Sequence, residues 1–186
     1  MRTTGMAVAL LLAGVLAFAN VARAQQTTNE EVRYTHDVLR VTTTASMLMT
    51  ATIGTLLAIN KPTLFGEGRC AQGDPVLGEY GCHGLSVLHG LSAIVSLVLY
   101  SATTTLEISE FGWPNMGHGN GYGVANWIDL VGMAVLPVVG LVMAVPQIIG
   151  LSLPDDGLLR RILRTVHLAV GYTTVGTFVA TTAIDL

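Results

Sequence analysis

The sequence predicts an all-α membrane fold: a transmembrane up-down four-helix bundle preceded by a signal peptide. Three observations predict it. Hydrophobic residues make up 51% of the 186 and charged residues only 11%, less than half the share of about 25% usual in soluble domains. Four stretches, Val41 to Asn60, His83 to Leu106, Leu130 to Leu153 and Thr165 to Ile184, contain no Asp, Glu, Lys or Arg. Each is long enough to cross a bilayer, which takes about 20 residues. A shorter apolar run opens the chain and carries the marks of an export leader.

The leader comes first. Arg2 supplies a positive start, Met6 to Ala19 an apolar core, and Ala22-Arg23-Ala24 a small-x-small cleavage site. Residues 1–24 are therefore expected to be removed, leaving Gln25 as the mature terminus and residues 25–186 as one four-helix domain. An uncleaved fifth helix is the rival reading, but this apolar core is short for a bilayer crossing. In lipid each charge-free stretch can satisfy its backbone polar groups internally only as a helix. With flanking residues the helices are expected over approximately 37–60, 83–106, 126–152 and 160–184.

Lys and Arg set the expected orientation. Lys61 and Arg69 fall in the first loop and Arg160, Arg161 and Arg164 in the third, while the second, Glu107 to Asp129, has none. The positive-inside rule puts loops one and three in the cytoplasm. The mature N-terminus and the C-terminus then lie on the exported side of a bacterial-type inner membrane. Cys70 and Cys82, the two cysteines of the chain, sit in loop one among Gly, Pro and polar residues. They suit a disulfide-closed loop, which needs an oxidising compartment and so pulls against that orientation. A zinc site from Cys70, Cys82 and His83 lacks an obvious fourth ligand.

The net charge of −3 comes without a basic run, so nucleic acid is not an expected partner; the lipid bilayer is. No arrangement suited to hydrolysis or group transfer stands out. Gly54, Gly90, Gly132, Gly140 and Gly171 read first as close-packing positions between membrane helices, although a glycine beside a histidine, as at Gly90, can also make room for a flat macrocycle. Trp113, Tyr122 and Trp127 read as interfacial anchors.

An ionisable side chain within a span is a functional candidate. His89 in span two and His167 in span four lie at one depth, roughly 5–9 Å below the same boundary at 1.5 Å rise per residue. Their helices run in one direction and face each other across the core of an up-down bundle. That makes them a candidate axial pair for haem iron. The plain alternative is a hydrogen bond from each histidine to a neighbouring Thr or Ser. His36 and His118 repeat the pattern more weakly at the opposite end, on spans one and three, as a second candidate pair. Arg164, Arg161 and Arg69 at one end, and Arg40 and Arg33 at the other, are candidate partners for haem propionates; plain snorkelling to the interface explains them equally well. Thr42 to Thr44, Thr103 to Thr105 and Thr173 to Thr174 can supply supporting hydrogen bonds.

In its four core helices, one histidine per helix, and first-with-third and second-with-fourth pairing, the chain resembles the cytochrome b-561 superfamily and related bacterial membrane cytochromes b. The segments Leu88-His89-Gly90 and Arg164-Thr165-Val166-His167-Leu168-Ala169-Val170-Gly171-Tyr172 carry the likeness, which covers roughly His36 to Leu186. The resemblance implies bis-histidine b haems on His36, His89, His118 and His167, one or two in number. It also implies electron transfer across the membrane between a donor and an acceptor such as a quinone or another redox protein. The loop holding the cysteines is long for that family. Two other classes fit the composition: a haem-free subunit anchoring a larger membrane complex, and a small transporter. The transporter is disfavoured because no Asp, Glu, Lys or Arg falls within the four charge-free stretches.

Overall fold

The computed structural model describes residues 29–111, 120–148, 154 and 157–185. The predicted leader, Trp113 and His118 lie outside the described residues. Apart from loop one, residues 61–79, the described residues are almost all helical: α1 (Asn29–Asn60), α2 (Leu85–Phe111), α3 (Asn120–Ile148) and α4 (Leu158–Asp185), with one π-helical turn, Tyr80–Gly84, leading into α2. Among the described residues the only β pairing is an isolated bridge between Thr63 and Gly66.

Three of these helices are long and apolar enough to cross a membrane, over Glu30–Asn60, Tyr80–Glu110 (the π turn and α2 together) and Gly121–Ala144. The chain thus carries the elements of a multi-pass membrane protein. The fourth, α4, has 28 residues but falls short of the same hydropathy. Its threonines account for this: Thr174, Thr181 and Thr182 are 5% exposed or less and face other helices rather than lipid.

Burial runs opposite to the pattern of a soluble domain. The most completely buried large side chains are Arg40, Asn60, Thr43, Thr103, Thr174, Thr181 and Asp129. Val41, Leu48, Met49, Val87, Leu91, Val95, Val131, Val138 and Leu141 point outward. A hydrocarbon solvent explains both facts. Apolar side chains lose nothing by facing it, whereas polar groups must find partners inside.

α1 packs along α2 and α3 along α4, and α1 and α4 join the two pairs; no comparable packing joins α2 to α3 among the described residues. Gly132 sets the approach of α3 to α4, since a Cβ there would stand 1.8 Å from Thr174 Oγ1. Midway along the helices, Met47, Tyr100, Met133 and Phe178 form an apolar layer, one residue from each helix. Polar groups lie to either side of it.

Loop one closes one end. Cys70 and Cys82 are joined by a disulfide, their Cα atoms 5.8 Å apart. The loop backbone finishes α1: Arg69 N–H donates to Ile59 O and Cys70 N–H to Asn60 O, both at 3.0 Å. The buried Asn60 side chain donates to Leu56 O and accepts from Val76 N–H. Gly68 has φ +76°, and a Cβ there would lie 2.6 Å from Asn60 O, so only glycine suits this turn. Three contacts hold the loop to α4: Arg161 with Glu67, Arg164 Nη1 with Pro62 O at 3.1 Å, and Thr165 Oγ1 accepting from Leu64 N–H at 3.0 Å.

Candidate functional site

His89, one turn inside α2, and His167, in the third turn of α4, lie at the end of the molecule that loop one covers. Their ring centroids are 6.0 Å apart and the rings are nearly perpendicular, at 79°. Each ring is backed by a glycine on the neighbouring helix. A Cβ on Gly54 of α1 would stand 3.0 Å from His89 Cε1, and one on Gly140 of α3 would stand 3.8 Å from His167 Cε1. Gly90, the glycine adjacent to His89 in sequence, instead faces open space. The helical period explains the difference: consecutive residues point about 100° apart, so Gly90 cannot share the face of His89.

The ring nitrogens are differently placed. His89 Nδ1 lies 3.2 Å from the carbonyl of Thr50. A proton on Nδ1 donated to that carbonyl leaves Nε2 as the atom with a lone pair. His167 Nδ1 is buried without a hydrogen-bond partner. A metal–imidazole nitrogen bond is about 2 Å long and the ring centre lies roughly 1 Å behind the nitrogen, so two axial rings on one metal have centres about 6 Å apart. The residues fit an axial pair on two counts, the ring separation and the orienting carbonyl on His89; His167 Nδ1 has no corresponding partner. Among the described residues, no cluster of three or more His, Cys, Asp or Glu is placed to hold a metal ion; a two-histidine axial pair is smaller than such a cluster. The predicted threonine hydrogen bonds go elsewhere, Thr43 to Thr103 and Thr174 to Val170 O.

The opposite end holds a buried ionic network. Arg40, fully buried, donates from Nη1 to Glu107 Oε1 at 2.5 Å and to the Tyr122 hydroxyl at 2.7 Å, and from Nη2 to Thr181 Oγ1 at 2.8 Å. Its guanidinium also lies over the rings of Tyr122 and Phe178. Both nitrogens of His36 lie against carboxylates: Nε2 is 3.3 Å from Glu107 Oε1 and Nδ1 is 3.2 Å from Asp37 Oδ1. Asp129, 1% exposed, accepts from Thr177 through Oδ1, while its Oδ2 is buried without a hydrogen-bond partner.

Sequence reasoning missed this network. Arg40, Glu107 and Asp129 each stand one residue outside a charge-free stretch, so they read as boundary charges. The helices run on past them and take them inside: Arg40 and Glu107 pair with each other there, and Asp129 accepts from Thr177. A signal was present: three charges of mixed sign bound three spans at what an up-down order makes the same end.

The arginines predicted near the histidine pair are engaged with loop one: Arg161 with Glu67, Arg164 with Pro62 O, and Arg69 with Asp74 at 3.1 Å. The Arg161 guanidinium holds the exposed Glu67 carboxyl below its ordinary value. His83 lies in the π turn and is exposed. Compared with family models, curated proteins and solved structures, the chain matches none.

Proposed function

We propose that the chain is a membrane electron-transfer protein holding haem b between His89 and His167, within an up-down bundle of four membrane-crossing helices. The single observation that supports this most is that α2 and α4 bring the two imidazoles together, their ring centroids 6.0 Å apart. When bound, haem supplies a reversible one-electron centre whose potential the surroundings set. Each residue then has a definite task. The carbonyl of Thr50 orients His89 and raises its basicity as a ligand through Nδ1–H, an arrangement common to metal-bound histidines. Gly54 and Gly140 keep side chains away from the two rings. Met47, Tyr100, Met133 and Phe178 exclude water on the inner side, and loop one covers the outer side.

Two histidine ligands leave no open iron position, which favours electron exchange with a quinone or another redox protein over oxygen chemistry. One haem is the favoured count. His36 has both ring nitrogens engaged by carboxylates. The experiment is a reduced-minus-oxidised absorbance spectrum of the purified protein. A haem b spectrum is expected, lost in His89→Ala and in His167→Ala and kept in His36→Ala. Protein that stays colourless after supply of haem would refute the reading and leave a haem-free anchoring subunit in its place.

A further inference from the structure

The buried ionic network has a charge balance that the electron-transfer reading does not use. Its geometry sorts the charges into pairs. Arg40 is hydrogen-bonded to Glu107 at 2.5 Å. His36 presents both ring nitrogens to carboxylate oxygens, Glu107 on one side and the half-exposed Asp37 on the other. Only the doubly protonated ring donates in both directions at once. Among the described residues, two cations, Arg40 and His36, then stand against two carboxylates, Glu107 and Asp37.

Asp129 is the carboxylate left over. It faces Arg40 from α1, Glu107 and Tyr100 from α2 and Thr177 from α4, and the guanidinium among these is already bonded to Glu107. One of its oxygens is buried and unpartnered. A carboxylate in that setting pays the full desolvation penalty of an ion without a hydrogen bond, and the usual outcome is that it takes up a proton. Acidic and histidine side chains inside membrane spans mark proton sites for this reason.

We infer that Asp129 is a membrane-embedded proton-binding site, holding one proton on Oδ2 while Oδ1 accepts from Thr177, with Asp37, His36 and Glu107 forming the polar path from that face of the membrane. The proton comes from bulk water and no other bond changes. This inference stands independently of haem: it concerns the far side of the apolar layer, about 16 Å along α3 from Gly140 at 1.5 Å per residue.

The test is infrared difference spectroscopy of the full chain in lipid nanodiscs, in light and heavy water, across a pH series and at high and low sodium. Wild type is expected to show a protonated-carboxyl C=O band near neutral pH that shifts in heavy water. The band should vanish in Asp129→Asn, persist in the exposed control Glu110→Gln, and ignore sodium. Thr177→Val removes the hydroxyl beside Oδ1, along with its contacts to the Thr173 and Thr174 carbonyls, and should move the band to higher frequency without abolishing it, which keeps the test sound if Asp129→Asn fails to fold. A wild type without the band, a band untouched in both the Asp129 and Thr177 variants, or one displaced by sodium would each overturn the proposal, the last in favour of a metal-cation site.

Discussion

Replacing Gly54 with alanine tests the histidine pair without touching either histidine. The added Cβ would stand 3.0 Å from His89 Cε1 and 3.5 Å from Nδ1, inside the separation of about 3.5–4.0 Å at which carbon atoms pack best. To make room the ring must retreat by roughly half an ångström. Nδ1 is 3.2 Å from the Thr50 carbonyl, so a shift of that size takes the bond to the limit of useful hydrogen-bond length. Overpacking of this kind costs about 1–3 kcal/mol. Alanine also improves helix propensity by about 0.8–1.0 kcal/mol, which blurs the effect in one variant. Gly140→Ala cancels that term, because its Cβ would meet His167 Cε1 at an ordinary 3.8 Å while gaining the same propensity. The difference between the variants therefore isolates the clash. Haem titration should show Gly54→Ala weaker than Gly140→Ala by a factor of roughly 5 to 150, the equivalent of about 1–3 kcal/mol. Equal retention by both, with wild-type spectra, would mean that His89 does not sit against α1 when it works.

Removing one partner of the buried Arg40–Glu107 pair, as in Arg40→Met, should cost about 3–5 kcal/mol; the double variant Arg40→Met, Glu107→Gln should recover much of that, measured by thermal unfolding in nanodiscs. Cys70→Ser opens a loop of sequence separation 12, and by chain entropy this should cost about 3 kcal/mol, read from the same melts with and without reductant. The Glu67–Arg161 contact should fail in acid. Because Arg161 lowers the Glu67 pKa from 4.5, its contribution is complete above that value and disappears as pH falls through the lower, folded one. Hydrogen exchange in loop one should therefore accelerate in that window in wild type, while Glu67→Gln should not show the change.

The parts of this fold that were legible in the sequence were those that lipid dictates. Charge-free runs of bilayer length must be helical, and counting residues from a shared boundary placed His89 and His167 at one level; the structure then brings their rings together. Helix ends were not legible, since a charge normally marks a boundary and here Arg40 and Glu107 continue their helices as a buried pair while Asp129 is held inside against Thr177. The glycines show a similar limit. Composition marks Gly54, Gly132 and Gly140 as packing positions but not which neighbour each accommodates: Thr174 for Gly132, His89 for Gly54, His167 for Gly140. That depends on helix rotation, which a weakly amphipathic sequence leaves open until Thr–Thr and Arg–Glu contacts fix it.

The orientation expected from the arginines meets a covalent objection in loop one. The disulfide between Cys70 and Cys82 persists only where thiols are not continually reduced, which in most cells excludes the cytosol. The arginine count is a statistical bias acting during insertion, before the helices pair. Arg161 and Arg164 are also tied to loop one through Glu67 and Pro62, so loops one and three share a side whichever side it is. A bond that must survive outranks a bias that needs only to act on average, and loop one is expected on the exported side with the His36 end facing the cytoplasm. An exported leader would demand the reverse if α1, long and apolar enough to cross a membrane, spans it once. Intact cells distinguish the two: after mild reduction, a membrane-impermeant maleimide should label Cys70 and Cys82 from outside. Labelling that occurs without reductant, and only once the membrane is opened, would restore the arginine-based orientation and show that the pair is held as thiols in the cell.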